Sequence, residues 1–154
     1  MSHAVTLAVI VRAGDRFLMV EEWQQGRVMF NQPAGHLEPG EELLAGARRE
    51  LLEETGLALP IEQAVGIYQY SAPDSGKHFV RFTFCVAVAE PLATRPQDPD
   101  GDIIRCHWLT LDEIEALGEQ LRSPLILASF QDYLAGARFP LDALKSVRHK
   151  DPQP

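Results

Sequence analysis

Three glutamates constrain this chain more than any other feature. Glu50, Glu53 and Glu54 stand at i, i+3 and i+4 within residues 41–55 (EELLAGARRELLEET), a stretch that reads as a helix. Leu44, Ala47, Leu51 and Leu52 fall within one arc of that helix and make its expected core face. The three carboxylates then occupy about a 100° arc of one helical face. Like charges at this spacing weaken a helix unless something neutralises them. A bound hard cation reverses that sign, because carboxylate oxygens suit Mg²⁺, which keeps waters and shares its shell with substrate phosphates. Arg49 lies one turn from Glu53 and is placed to orient a carboxylate. Most Glu-rich faces are plain solvated surface, so the flanks of the helix matter. Gly35 and the Pro39-Gly40 turn before it permit close backbone approach. Glutamates at the start of the helix suit its dipole, and Gly56 sits where a left-handed C-cap is expected.

The rest of the chain is mostly strand. Residues 4–11 and 17–22 read as a hairpin about Ala13-Gly14-Asp15, and 28–32 as a short strand ended by Pro33. Residues 64–71 and 78–88 read as two more strands around the turn signal Pro73-Asp74-Ser75-Gly76. A loop with three prolines, 90–101, leads to strand 103–109. Thr110 with Glu113 is a capping-box pattern opening a short helix. Ser123-Pro124 starts a last helix that runs to about Gly136, with Ser as cap and Pro in the first helical position. A polar, frayed tail is expected after about Lys145. The order predicts one α+β domain over 1–154, a mixed sheet between helices.

Charge and cysteine content narrow the function. Fourteen Lys and Arg against 22 Asp and Glu leave a net charge of −8, which disfavours a nucleic-acid partner bound through phosphate neutralisation. An acidic chain can still act on a small polyphosphate through a divalent cation. Cys85 and Cys106 have no zinc-like spacing and read as reduced thiols of a cytoplasmic protein. The apolar run Val5–Val11 is too short to span a membrane, so no membrane partner is expected.

Residues 35–57 (GHLEPGEELLAGARRELLEETGL) resemble the Nudix box. Gly35, Glu41, Arg49, Glu50, Leu51, Glu53, Glu54, Gly56 and Leu57 occupy all of its defined positions. The order of strands and helices over about 4–136 is similar to that of the family, which implies an α/β/α sandwich. Residues 31–38 (NQPAGHLE), 71–74 (SAPD), Arg81-Phe82 and 121–125 (LRSPL) resemble one group of small bacterial phosphatases within it. That resemblance implies hydrolysis of nucleoside tri- and diphosphates and of the pyrophosphorylated pyrimidine precursor of thiamine.

The resemblance also implies roles. Glu50, Glu53 and Glu54 would ligate Mg²⁺, or Mn²⁺ in its place, with the Gly35 carbonyl as a backbone ligand. Arg49 would hold the carboxylates, and Glu41 would serve structurally or behind the metal ligands. Water would attack phosphorus in line. The general base would be Glu54, Glu50 or an acid of the later loop (Asp98, Asp100 or Asp102), with Asp102 preferred because it abuts a strand. The DPDGD sequence there also reads as a simple turn. Asn31 and Gln32 are candidates for hydrogen bonds to a base, or else pair with backbone. His36, Lys77 and Arg81 are candidates for phosphate contact, with exposed surface the alternative for Arg81. Trp23, Phe30 and Tyr70 suit ring stacking or core packing.

Two other readings stand beside this one. An ADP-ribose or dinucleoside-polyphosphate hydrolase would share the box, and Pro73, 16 residues after Leu57, has a spacing associated with ADP-ribose hydrolases. The small phosphatases share that proline. A non-catalytic ligand sensor of the same fold often loses box carboxylates, and this chain keeps them. Small members of the family occur as monomers and as homodimers.

Overall fold

The computed structural model describes residues 2–147. Seven strands are present: β1 (Ala4–Ala13), β2 (Arg16–Gln24), β3 (Arg27–Asn31), β4 (Ala34–His36), β5 (Gln63–Ser71), β6 (His78–Val88) and β7 (Ile103–Thr110). Three helices accompany them: α1 (Leu43–Thr55), α2 (Leu111–Ala116) and α3 (Leu125–Leu134). The expected polar tail lies mostly outside the described residues.

β1 organises the sheet. It runs parallel to β6 along its whole length, from Ala4↔Phe79 to Ala13↔Val88. Its other edge is divided. Thr6, Leu7 and Ala8 pair with His36, Gly35 and Ala34 of β4, while only Arg12 and Ala13 pair with β2. β2 then diverges to pair with β3 and β7. Residues 32–34 occupy the resulting split, where the Val9 N–H donates to the Pro33 carbonyl at 3.0 Å. A strand flanked by helices on both faces must be apolar throughout, and Leu7–Val11 is at most 1% exposed.

Alternation along β1 sends its side chains to two cores. Leu7, Val9 and Val11 pack with Ala47 and Leu51 of α1, while Ile10 packs with Ile126, Phe130 and Tyr133 of α3. The architecture is therefore the expected mixed sheet between helices. Among the described residues no helix is long and apolar enough to cross a membrane.

Local expectations hold at several ends and shift at others. Gly56 caps α1 with φ 76° and donates its N–H to Leu52 O. Thr110 and Glu113 form the reciprocal capping box of α2. α1, however, starts at Leu43 with no acid in its first turn. Glu42 is its extended N-cap, and Glu41 is drawn out of the helix by Arg49. Leu52 lies at the solvent edge of the predicted core face, 40% exposed, whereas Ala47 and Leu51 are fully buried. α3 starts one residue late, with Pro124 before its first turn, while Ser123 Oγ still accepts the Leu125 N–H at 3.2 Å. β4 has no periodic signal in the sequence because it is three residues long with glycine in the middle.

Both cysteines are free, Cys85 buried and Cys106 partly so. Burial raises the Cys85 thiol and pushes Cys106 up to about 11. At pH 8 Cys106 should hold only about one thiolate in a thousand thiols. The folded protein is therefore expected to react slowly with a thiol reagent such as Ellman's, and both cysteines rapidly after unfolding in guanidinium. A fast native reaction of one equivalent would contradict this placement.

Candidate functional site

The site is built where α1 crosses the β1–β4 pair. Gly46 lets the helix approach closely, since a Cβ there would overlap Leu7. Gly35 does the same for the next turn, because its Cβ would overlap the Glu50 carboxylate. Two missing side chains thus bring the last two turns of α1 against the split in the sheet.

Arg49 is the hub of the cluster. Its Nε donates to Glu41 Oε2 at 2.7 Å and its Nη2 to Glu41 Oε1 at 3.0 Å, a bidentate pair. Nη1 donates to Glu50 at 2.8 Å and to Glu53 at 3.2 Å, and Nη2 also reaches the His36 carbonyl at 3.0 Å. One guanidinium therefore ties three carboxylates to the end of β4. The same contacts hold Arg49 protonated and keep the Glu41 carboxyl below its ordinary range.

Glu54 points the other way, into the split. It is 8% exposed, and its Oε1 accepts the Ala34 N–H at 2.8 Å. Burial raises its proton affinity well above the ordinary carboxylate range, and the charges of Glu22, Glu50 and Asp98 add to that. Glu50 is raised too, by burial, with Arg49 opposing and Glu53 and Glu41 adding. Glu22 is 4% exposed and pairs with Arg122 at 2.7 Å. Such a set of buried, mutually repelling oxygen donors is short of positive charge, and that is the chemistry a hard divalent cation suits. Among the described residues no three His, Cys, Asp or Glu side chains are gathered as a metal-holding group on their own. Mg²⁺ does not require one, since waters and substrate phosphates complete its shell.

The loop 90–101 is moored to the same helix end. Arg95 N–H donates to Thr55 O at 2.8 Å and Gln97 N–H to Glu53 O at 2.7 Å, satisfying carbonyls the helix leaves open. The next acid, Asp98, caps its turn by accepting from Asp100 N at 3.3 Å and Asp102 N at 2.7 Å. Asp98 is the member of that loop whose charge acts on Glu54. Asp102, preferred from the sequence, is held beside β2 through its carbonyl, which accepts the Trp23 N–H at 2.9 Å.

Other sequence candidates find different surroundings. His36 is exposed at the end of β4. Lys77 sits in the β5–β6 turn, where its backbone bonds Ala72 and Ser75, and no contact joins it to the carboxylates. Asn31 and Gln32 face inward, 7% and 0% exposed, and both bond Arg81 rather than presenting themselves to solvent. Arg81 is 6% exposed, so the surface alternative for it fails. Of the rings, Trp23 is 53% exposed, Tyr70 stacks on Phe79 at 6.5 Å, and Phe30 lies 5.7 Å from His107. A cavity of about 180 Å³ between His3, Gln69, Tyr70, Ser71 and Phe79 holds none of the carboxylates.

Glu22 joins the site without any sequence signal that singles it out, and of the three loop acids it is Asp98, not the preferred Asp102, whose charge reaches Glu54. Glu22 ends the apolar run of β2, where an acid reads as a strand leaving the core. Nothing in the sequence says that β2 diverges there and turns Glu22 toward the split.

The Gly35 contact yields a separable prediction. The overlap in Gly35→Ala is with the far end of a flexible glutamate, so the fold should survive and the Glu50 carboxylate should be displaced. We expect turnover to fall about 10-fold, the scale of a perturbed ligand-orienting contact, with the melting temperature nearly unchanged. Unchanged turnover would separate Glu50 from the chemistry.

Comparison with known proteins places this geometry. A model of the NUDIX domain matches residues 1–130. Over 140 residues, 91% of this chain and 89% of the relative, the chain is 41% identical to the phosphatase NudJ of Escherichia coli K12. The solved NUDIX hydrolase from Nitrosomonas europaea is 39% identical, with a TM-score of 0.87 over 95% of this chain and 98% of that one. The bifunctional NMN adenylyltransferase/ADP ribose pyrophosphatase of Francisella tularensis, solved with AMP and a manganese ion, has a TM-score of 0.72 over 88% of this chain and 42% of that one. At 18% identity that last likeness is one of fold.

Proposed function

The chain belongs to the NUDIX hydrolase family, and we propose that within it the protein is a Mg²⁺-dependent phosphatase of the NudJ kind. Its substrates would be nucleoside tri- and diphosphates and the pyrophosphorylated pyrimidine precursor of thiamine. The observation that carries the proposal is the under-neutralised carboxylate set at the end of α1, opposite Gly35. The 41% identity to NudJ supports the substrate class. Bound manganese and AMP in a protein of the same fold support a divalent cation and a nucleotide-type ligand.

Glu50, Glu53 and Glu54, with the Gly35 carbonyl, are the groups that would hold the cation. A cation bound there would supply charge screening for the phosphates and Lewis acidity toward the attacking water. Arg49 fixes Glu50 and Glu53 in one orientation before substrate arrives, so little reorganisation is left for the reaction. Glu54 is our candidate general base in preference to Asp102. Glu54 projects into the split among the other carboxylates, with its Oε1 on the Ala34 N–H, whereas Asp102 is held beside β2.

The test is a hydrolysis panel with Mg²⁺ over the thiamine precursor pyrophosphate, nucleoside tri- and diphosphates, ADP-ribose and a dinucleoside tetraphosphate. Each substrate is run with and without inorganic pyrophosphatase. Phosphate released from the mononucleotides or the precursor without pyrophosphatase is the expected result. Turnover of ADP-ribose alone, scored as AMP, would overturn the substrate class. Silence across the panel with metal binding intact would overturn the catalytic reading.

A further inference from the structure

β6 carries a second charged group that the carboxylate chemistry does not use. Arg81 is 6% exposed, and no carboxylate lies within ion-pair distance of it among the described residues. Its Nη2 donates to Gln32 Oε1 at 2.9 Å and to Asn31 Oδ1 at 3.2 Å. Gln32 is itself locked, because its Nε2 donates to Ser129 Oγ at 2.9 Å while that hydroxyl donates to Ile126 O at 2.9 Å. Among the described residues Arg81 Nε has no hydrogen-bond partner, and neither has Thr83 Oγ1, two residues along on the same face of β6. Among the described residues Nη1 has no hydrogen-bond partner, and it is not among the fully buried unpartnered atoms, so it is the guanidinium nitrogen that keeps some accessible surface. A fixed, buried cation with open donors is costly to keep unless something anionic completes it. Arg81 is also close enough to Glu54 and Glu22 for their charges to act on it, so it sits at the border of the carboxylate set.

We propose that Arg81 is an oxyanion receptor for a phosphoryl group of the substrate, and that Ser129, Gln32 and Asn31 are positioning residues that fix its guanidinium. This reverses the sequence expectation for Asn31 and Gln32, which hold the arginine instead of touching the ligand. A guanidinium suits the task because it is more weakly hydrated than an ammonium, so it can wait buried and charged for an anion. Binding joins an Nη1–H donor to a phosphoryl oxygen, with no covalent bond made or broken. The inference rests on the phosphoanhydride reading above, and its test is chosen to fail independently of that reading.

The probe is methylenediphosphonate, whose P–C–P bridge resists hydrolysis, titrated by calorimetry into the protein at saturating Mg²⁺. Wild type is compared with Arg81→Lys, Arg81→Gln and Gln32→Glu, the last placing a carboxylate on the guanidinium without removing it. Mn²⁺ affinity and thermal unfolding are measured on each. The expected result is a Kd for the probe raised about 10- to 100-fold in Arg81→Gln and Gln32→Glu, the scale of a lost charge-assisted contact. Arg81→Lys should recover only part of it. KM for any hydrolysed substrate should rise by a similar factor, and Mn²⁺ should bind the folded variants no more weakly. If Arg81 is merely a counter-ion for Glu54 and Glu22, Arg81→Gln will bind Mn²⁺ more tightly and the probe unchanged, which overturns the proposal. A wild type that hydrolyses nothing yet loses probe affinity on Arg81→Gln would leave the receptor standing and remove the phosphatase reading.

Discussion

Glu53→Gln is expected to lower kcat by at least about 100-fold at saturating Mg²⁺, more than the 10- to 100-fold typical of groups behind a metal ligand. The substitution removes one anionic oxygen donor and keeps the side chain's size. Its structural cost should be small. Glu53 is partly exposed, and its ion pair with Arg49 at 3.2 Å is the longer of the two that Nη1 makes with the helix carboxylates. Losing one of three crowded negative charges also relieves repulsion along α1. Stability without metal should therefore stay within about 0.5 kcal/mol of wild type, or rise slightly. Denaturant unfolding in EDTA checks the fold, and steady-state kinetics check the activity. Equal turnover by the variant would remove Glu53 from the metal site.

The largest stability effect should come from the C-cap of the same helix. Gly56 has φ +76°, and a Cβ there would overlap the backbone carbonyl of Arg95. Arg95 cannot retreat cheaply, because its N–H satisfies the Thr55 carbonyl at 2.8 Å and Gln97 is bonded to Glu53 beyond it. Gly56→Ala therefore combines a left-handed backbone with a steric conflict against a moored loop, about 3 kcal/mol in all. In a chain of this size the melting temperature should fall by about 10 °C. Gly76→Ala is the control, since Gly76 has φ +65° but nothing within 4 Å of a Cβ. It should cost about 1 kcal/mol. Equal losses in the two variants would mean that the close approach of the loop contributes nothing.

How much of this was legible in the sequence depended on distance along the chain. The α1 carboxylates, Arg49, the Gly56 cap and the Thr110 capping box are local patterns, set by neighbours three to five residues away, and they were readable. Glu41 was readable as important but not as lying outside the helix, because its capture depends on Arg49 winning over a helical first turn. The environments of Gln32 and Arg81 come from partners 49 to 97 residues distant, and no periodicity announces them. Exposed surface stands as the alternative to phosphate contact for Arg81 because a strand arginine opposite Phe82 normally faces water. Here α3 covers that face. The sequence ranks Asp102 first among the loop acids because it abuts a strand, but which acid comes near Glu54 turns on where the loop is moored to α1.

The most direct test of the metal assignment is Mn²⁺ binding followed by electron paramagnetic resonance. Wild type would be titrated beside Glu53→Gln, Glu54→Gln and a control, Glu113→Gln, whose carboxylate belongs to the α2 capping box. Wild type and the control should bind Mn²⁺ with the same affinity, Mg²⁺ should displace it, and both α1 variants should bind at least about 10-fold more weakly. Equal affinity across all four proteins would place the cation elsewhere, and the carboxylate face of α1 would no longer explain the chemistry.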